Sequence, residues 1–175
     1  MSTAPVKIRV FAGEHFACIK IEGRANFASS IDFRTLVNEL LQKHCSYFVL
    51  DLSECTLMDS TFLGVLAGFG LKGSAGKTGS QGATIELLNP NERILELLDS
   101  LGVLQLFKVV QGAGPGLGAQ ESPALAAACP TREEVTRACL EAHRTLMSLN
   151  PENAAKFKDV AAFLAEDLKR TKPGG

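Results

Sequence analysis

Residues 47–71, YFVLDLSECTLMDSTFLGVLAGFGL, constrain the fold of this chain more than any other stretch. A continuous apolar run at 47–50 ends in Asp51-Leu52-Ser53, and a short loop then delivers Asp59-Ser60-Thr61 to a second apolar run rich in small residues. The first run predicts a strand over 47–52 buried on both faces, as an internal parallel strand should be, and the second a buried helix over 60–71. The loop sets two hydroxyls and a carboxylate at the helix N-terminus, where unpaired N–H groups and a partial positive charge favour an anion. A serine at such a place serves as a cap, a nucleophile or a phosphorylation site. Which of these it is decides the function.

The flanking pattern supplies the rest of an α/β domain. Val6, Ile8 and Val10 alternate with Lys7 and Arg9, then Ala17, Ile19 and Ile21 with Cys18, Lys20 and Glu22, and Gly13 lies between. That predicts a hairpin at one edge of a sheet. From Ser29 or Ser30 the period changes, and Phe33, Leu36, Val37, Leu40 and Leu41 mark a helix face. Beyond the central strand and helix come a Gly/Ser-rich loop, a strand over 83–88, a helix marked by Ile94, Leu95, Leu97, Leu98 and Leu101 and closed by Gly102, and a short strand over 107–110. The order ββαβαβαβ predicts a mixed sheet with right-handed crossovers and helices packed against it.

Residues 111–123, QGAGPGLGAQESP, have the composition of a linker. Thr131-Arg132-Glu133-Glu134 then reads as a capping box, opening a helix with an apolar stripe of Val135, Ala138, Cys139, Ala142, Leu146 and Leu149. Asn150-Pro151 stops it and starts another, with Phe157, Val160, Ala161, Leu164 and Leu168 as its stripe. The expected organisation is a domain at 1–112, a flexible linker at 113–129 and a C-terminal α-helical hairpin at 130–172. Two such helices bury little alone, so the stripes must dock on the main domain, on another subunit or on a partner; of these a second copy of the chain is favoured, giving a homodimer through the hairpin.

Composition narrows the function. With 46% apolar and 21% charged residues, the 175-residue chain is globular, and its net charge of −1 gives no general attraction to nucleic acid or an anionic membrane. No apolar run approaches the ~20 residues of a membrane helix, and MSTAPVKIRV lacks the basic-then-apolar order of a signal peptide. Cysteines at 18, 45, 55, 129 and 139 form no CxxC pair and read as reduced thiols in a cytoplasmic protein.

The strand LDLS at 50–53, followed after a short gap by DSTFLGVL at 59–66, resembles the STAS domain, the family of bacterial anti-sigma-factor antagonists also found in sulfate transporter tails. The resemblance covers roughly residues 5–112, including the N-terminal hairpin, the helix order and the Asn89-Pro90 turn. The family pattern, approximately D-S-S/T-G-L-G-x-L, is met by Asp59, Ser60, Thr61, Leu63, Gly64 and Leu66. Phe62 stands where the family usually has glycine, placing a ring in the first turn beside the serine. The loop after the second strand, often G-x-L-D, reads Gly23-Arg24-Ala25-Asn26-Phe27 and lacks the acidic residue. The resemblance implies a non-catalytic signalling module that binds an anti-sigma factor with serine-kinase activity. It also implies that this kinase phosphorylates Ser60, with Thr61 the weaker acceptor. Asp59, Ser60, Thr61, Phe62, Asn26 and Arg24 would form the partner surface. The alternative is a structural or assembly subunit that keeps the fold without the switch and docks through its hairpin.

Other constellations carry less. Gly64 and Gly68 at i, i+4 suit close packing of helix on sheet. The stretch 70–78, GLKGSAGKT, has Leu71 where a phosphate-binding loop needs glycine and precedes a strand rather than a helix, so it reads as an exposed loop. His15, His44 and His143 have neither a histidine partner at i, i+4 nor paired cysteines, so no metal or other cofactor is expected. Ser60 has a carboxylate neighbour but no recognisable histidine base, which argues against a serine hydrolase. A nucleotide or small ligand at the helix N-terminus has no motif of its own. The mixed charges of Arg132, Glu133, Glu134, Lys156 and Lys158 read as the solvated sides of the tail helices.

Overall fold

The computed structural model describes residues 6–74, 84–112, 121–122 and 131–171. Strands β1 (Lys7–Ala12), β2 (Phe16–Ala25), β3 (Tyr47–Asp51), β5 (Thr84–Leu88), β6 (Lys108–Val110) and β7 (Glu121–Ser122) form a sheet in the order β6-β5-β3-β2-β1-β7. The pairs β2/β3, β3/β5 and β5/β6 are parallel, whereas β1/β2 and β1/β7 are antiparallel, so the sheet is mixed as the element order requires. Helices α1 (Phe27–Gln42), α2 (Ser60–Ser74) and α3 (Glu92–Ser100) return the chain between the parallel strands.

The core lies on one face of the sheet. Ile19, Ile21, Phe48, Leu50 and Leu87 point into it and meet Phe33 and Val37 of α1, Phe62, Leu63 and Leu66 of α2, and Ile94 and Leu98 of α3. Strand alternation sends Cys18, Val49 and Leu88 to the other face, where Phe11 and Val110 pack on them. β3 is therefore apolar on both sides, as expected.

Four features differ from the sequence expectation. A short strand β4 (Cys55–Met58) pairs in parallel with the end of β2, with a register shift between Gly23 and Arg24. Its four residues are too few to show a period, and it carries Asp59 to a backbone hydrogen bond with the Ala25 carbonyl (2.9 Å). Helix α1 starts at Phe27 rather than Ser29 or Ser30, because Asn26 caps it. Asn26 Oδ1 accepts from Ser29 N (3.1 Å), and Ser29 Oγ accepts from Asn26 N (3.0 Å). Within the stretch read as linker, Glu121–Ser122 pairs with Val10 and Phe11 of β1. The fourth difference concerns the hairpin.

Helices α4 (Arg132–Leu149) and α5 (Pro151–Thr171) form it, with the Thr131–Glu134 capping box and Pro151 at the first turn of α5 as read from the sequence. In this structure α4 rests on α2 and α1 of its own chain, and α5 rests on α4. Leu146 enters the main core fully buried, and Phe157 packs partly against it. The reason lies in backbone approach. A Cβ placed at Gly64 would lie 2.6 Å from Ala142 Cβ and would also strike the Ala142 carbonyl, so only glycine lets the two helices come this close. Gly64 thus serves helix-on-helix rather than helix-on-sheet packing. At the other end, Gly102 closes α3 at φ +71°, against Asn150 in the hairpin turn.

The loop around Ser80, the linker stretches 113–120 and 123–130, Cys129 and the N-terminal residues 1–5 lie outside the described residues. Among the described residues, no helix is long and apolar enough to cross a membrane, and no group of three or more His, Cys, Asp or Glu side chains is placed to hold a metal ion.

Candidate functional site

Asp59 organises the site. It precedes α2, and its Oδ1 accepts the Phe62 amide (2.8 Å) as an N-cap should, while Oδ2 reaches across to the Phe27 amide (2.7 Å) at the start of α1. One carboxylate therefore ties two helix N-termini together, aided by the partial positive charge at both. Asn26, the cap of α1, stands beside it, and Arg24 and Phe27 are exposed on the same rim.

Ser60 is the first residue of α2 and is half-buried. Its Oγ lies 2.9 Å from Nε2 of His143, on α4. The other ring nitrogen, Nδ1, lies 2.6 Å from the Cys139 carbonyl. A carbonyl only accepts, so Nδ1 carries a hydrogen. In the neutral ring this leaves Nε2 as the acceptor of the Ser60 hydroxyl. His143 is only 5% exposed, and its ring meets that of Phe157 at 65° with centroids 5.0 Å apart. One position along, buried Thr61 donates from Oγ1 to Cys139 Sγ (3.5 Å). Burial pushes the Cys139 thiol above its ordinary range; the Thr61 hydrogen bond pulls it down, and the negative charge of Asp59 adds to the rise. The thiol stays protonated and poorly nucleophilic.

Of the residues expected on the partner surface, Asp59, Ser60, Asn26 and Arg24 gather around the adjoining starts of α1 and α2. Thr61 is buried under α4. Phe62 is fully buried, with its ring 4.9 Å from that of Phe33, and so presents nothing to a partner. Helix geometry explains this: two positions on from Ser60, a side chain leaves from nearly the opposite side of the helix.

His143 is the residue that sequence reasoning missed. Its one local signal was its place within the apolar stripe, four residues after Cys139 and three before Leu146. With Ser60 it forms a hydroxyl–imidazole pair like the activated nucleophile of some hydrolases, but the third group is a backbone carbonyl rather than a carboxylate. The nearby cleft is lined by Arg34, Asn38, Gly68, Glu141 and Thr145 and opens further along α2, away from the serine.

Two of three comparisons with known proteins found similarity. The family model described as STAS domain matches residues 8–113. Among solved structures, the unphosphorylated form of the anti-sigma factor antagonist SpoIIAA is 14% identical, with a TM-score of 0.49 over 61% of this chain and 88% of that one. The phosphorylated form of SpoIIAA from Bacillus is 15% identical, with a TM-score of 0.47 over 61% and 91%. An anti-sigma factor antagonist from Mycobacterium paratuberculosis is 14% identical, with a TM-score of 0.49 over 62% and 89%. No sequence match to a curated protein was found. The family model spans well over half of the 175 residues, as the strand–loop–helix motif led us to expect, and the chain belongs to the STAS domain family.

Proposed function

We propose that this protein is a non-catalytic regulatory module of the anti-sigma-factor-antagonist type. It binds an anti-sigma factor with serine-kinase activity through the surface around Asp59 and Ser60, and phosphorylation of Ser60 switches that binding. The observation that carries this reading is the position of Ser60. In a chain of the STAS family, its hydroxyl sits in the first turn of α2 beside an Asp59 already committed to two backbone amides. A phosphate there adds about −1.5 to −2 charges, which the helix N-terminus can hold and which a neighbouring carboxylate turns against an acidic or apolar partner. Thr61 is the weaker acceptor because it is buried.

The test is co-purification from the native cell, with peptide mapping of Ser60 and mass spectrometry of what travels with the chain. Phosphate on Ser60, and a kinase-like partner that holds Ser60→Ala but loses Ser60→Asp, are the expected outcomes. Phosphate at Ser80 with Ser60 untouched, or equal capture by both variants, refutes the switch.

A second reading, a structural or assembly subunit without the switch, draws on one observation: α4 covers Ser60 and fixes it to His143. It predicts a chain that is never modified at Ser60 in any growth condition.

A further inference from the structure

We infer that docked α4 and a phosphate on Ser60 compete for the same space, so that the hairpin shields Ser60 from modification and a phosphorylated Ser60 releases α4. This deepens the reading of Ser60 as a phosphoacceptor and rests on it.

Three observations support the competition. First, the space on the α4 side of the Ser60 hydroxyl is taken. His143 Nε2 lies 2.9 Å from Oγ, the ring is 5% exposed, and the Cys139 carbonyl and the Phe157 ring hold it in place. Second, α4 has little slack against α2. Gly64 meets the backbone of Ala142 directly, one residue before His143, so the stretch of α4 that carries the imidazole is held close to α2. Third, the charge would crowd an existing one. The Asp59 carboxylate already sits next to Ser60, at the start of α2. A phosphate would add three strong acceptor oxygens and about two negative charges at the same spot.

The same geometry opposes the transfer step. A kinase using a nucleoside triphosphate forms the Oγ–P bond and breaks the bond from the γ-phosphorus to the bridging oxygen. The nucleoside diphosphate leaves with that electron pair, and the hydroxyl proton passes to a base of the kinase. In the docked state with a neutral imidazole, that proton is hydrogen-bonded to His143 Nε2, and α4 packs against Ser60. Phosphorylation therefore draws on the fraction of molecules with α4 lifted, and the modification then holds α4 off by mass action.

The experiment uses the full chain with phosphoserine incorporated at position 60, compared with the unmodified chain and with Ser60→Ala by amide hydrogen exchange. In the phosphoserine chain, the amides of α4 should exchange roughly tenfold or more faster, with β3 and β5 as protected as before. Ser60→Ala removes one hydrogen bond, equivalent to roughly two- to twelvefold, and adds neither volume nor charge, so it should raise α4 exchange less than the phosphoserine does. Unchanged or slower exchange in α4 of the phosphoserine chain overturns the inference, because His143 would then be gripping the phosphate. Protection lost throughout β3 and β5 overturns it as well, since the phosphate would be breaking the domain rather than the contact. No kinase or partner enters this measurement. Its failure therefore sinks the competition alone, whereas absence of phosphate on Ser60 in the cell sinks the proposed function.

Discussion

The two ends of the hairpin meet the domain through different chemistry. At the Ser60 end, α4 lies on α2 through one hydroxyl–imidazole hydrogen bond, one hydroxyl–thiol contact and the bare backbone of Gly64, and on α1 through an exposed Arg34–Glu141 ion pair. At the turn end, fully buried Asn153 donates from Nδ2 to the Leu101 carbonyl that ends α3 (2.8 Å) and to the Leu146 carbonyl of α4 (2.9 Å). Lys156 adds a bond to the Ser100 carbonyl (3.1 Å), and Asn150 packs on Gly102. In the proposed switch the Ser60 hydroxyl is a phosphoacceptor whenever α4 lifts, whereas the fully buried Asn153 amide offers no such group. The Ser60 end is thus built to be opened by added charge or bulk, and the turn end to stay pinned while it opens.

The sharpest way to break this contrast is Gly64→Leu. The new side chain has no room against the Ala142 backbone, and overpacking of this kind costs about 1–3 kcal/mol. The strain should be relieved by lifting α4, because Gly64 faces α4 rather than the sheet. Hydrogen exchange should then show α4 losing protection while β3 and β5 keep theirs, and Ser60 should become the faster kinase substrate. If exchange instead rises in the sheet, the glycine serves the core and the two ends are not separable.

What the sequence disclosed and what it withheld follow the range of the interactions concerned. The alternation at 6–10 and 17–21, the apolar run at 47–50 and the stripes of α1 and α3 report burial through their own neighbours, so they were legible. So were the Thr131 box and Asn150-Pro151, since caps act within a single turn. β4 escaped because four residues do not establish a period, and the start of α1 because Asn26 caps it ahead of its first periodic residue. The family motif located Ser60 and Asp59. It could not reveal that His143, 83 residues later, bonds the serine, because nothing in a single sequence pairs a hydroxyl with one buried histidine among three. Gly64 was legible as a packing residue, but its partner was not, because α2 is buried on both sides.

Asn153→Ala tests the pinned end and should have a smaller effect on stability. Two carbonyls lose their donor inside the protein, which costs about 1–3 kcal/mol when the groups stay unsatisfied. Part of that is returned, because Asn153 Oδ1 is itself buried without a partner among the described residues. Denaturant melting should therefore fall in the lower half of the range. The sharper readout is location. Exchange should rise at the α4–α5 turn and the end of α3, leaving the first turns of α4 close to wild type. If the change spreads evenly along α4, the hairpin docks as one rigid unit and the two ends do not act separately.

The smallest effect belongs to Arg34 and Glu141. Their side chains meet at 2.8 Å across the α1–α4 contact, but both are about half exposed, at 47% and 48%. Water and salt screen such a pair, and ordering two long side chains offsets much of the attraction. A double-mutant cycle with Arg34→Ala and Glu141→Ala should give a coupling of about 0.2–1 kcal/mol, shrinking towards zero in high salt. Removing this pair should therefore leave α4 docked, with Ser60 as protected as before. A coupling several times larger, or a Ser60 that becomes readily phosphorylated in Arg34→Ala, would move the control of docking from the His143 contact to the surface ion pair. The latch on the Ser60 end would then open with ionic strength rather than with a phosphate.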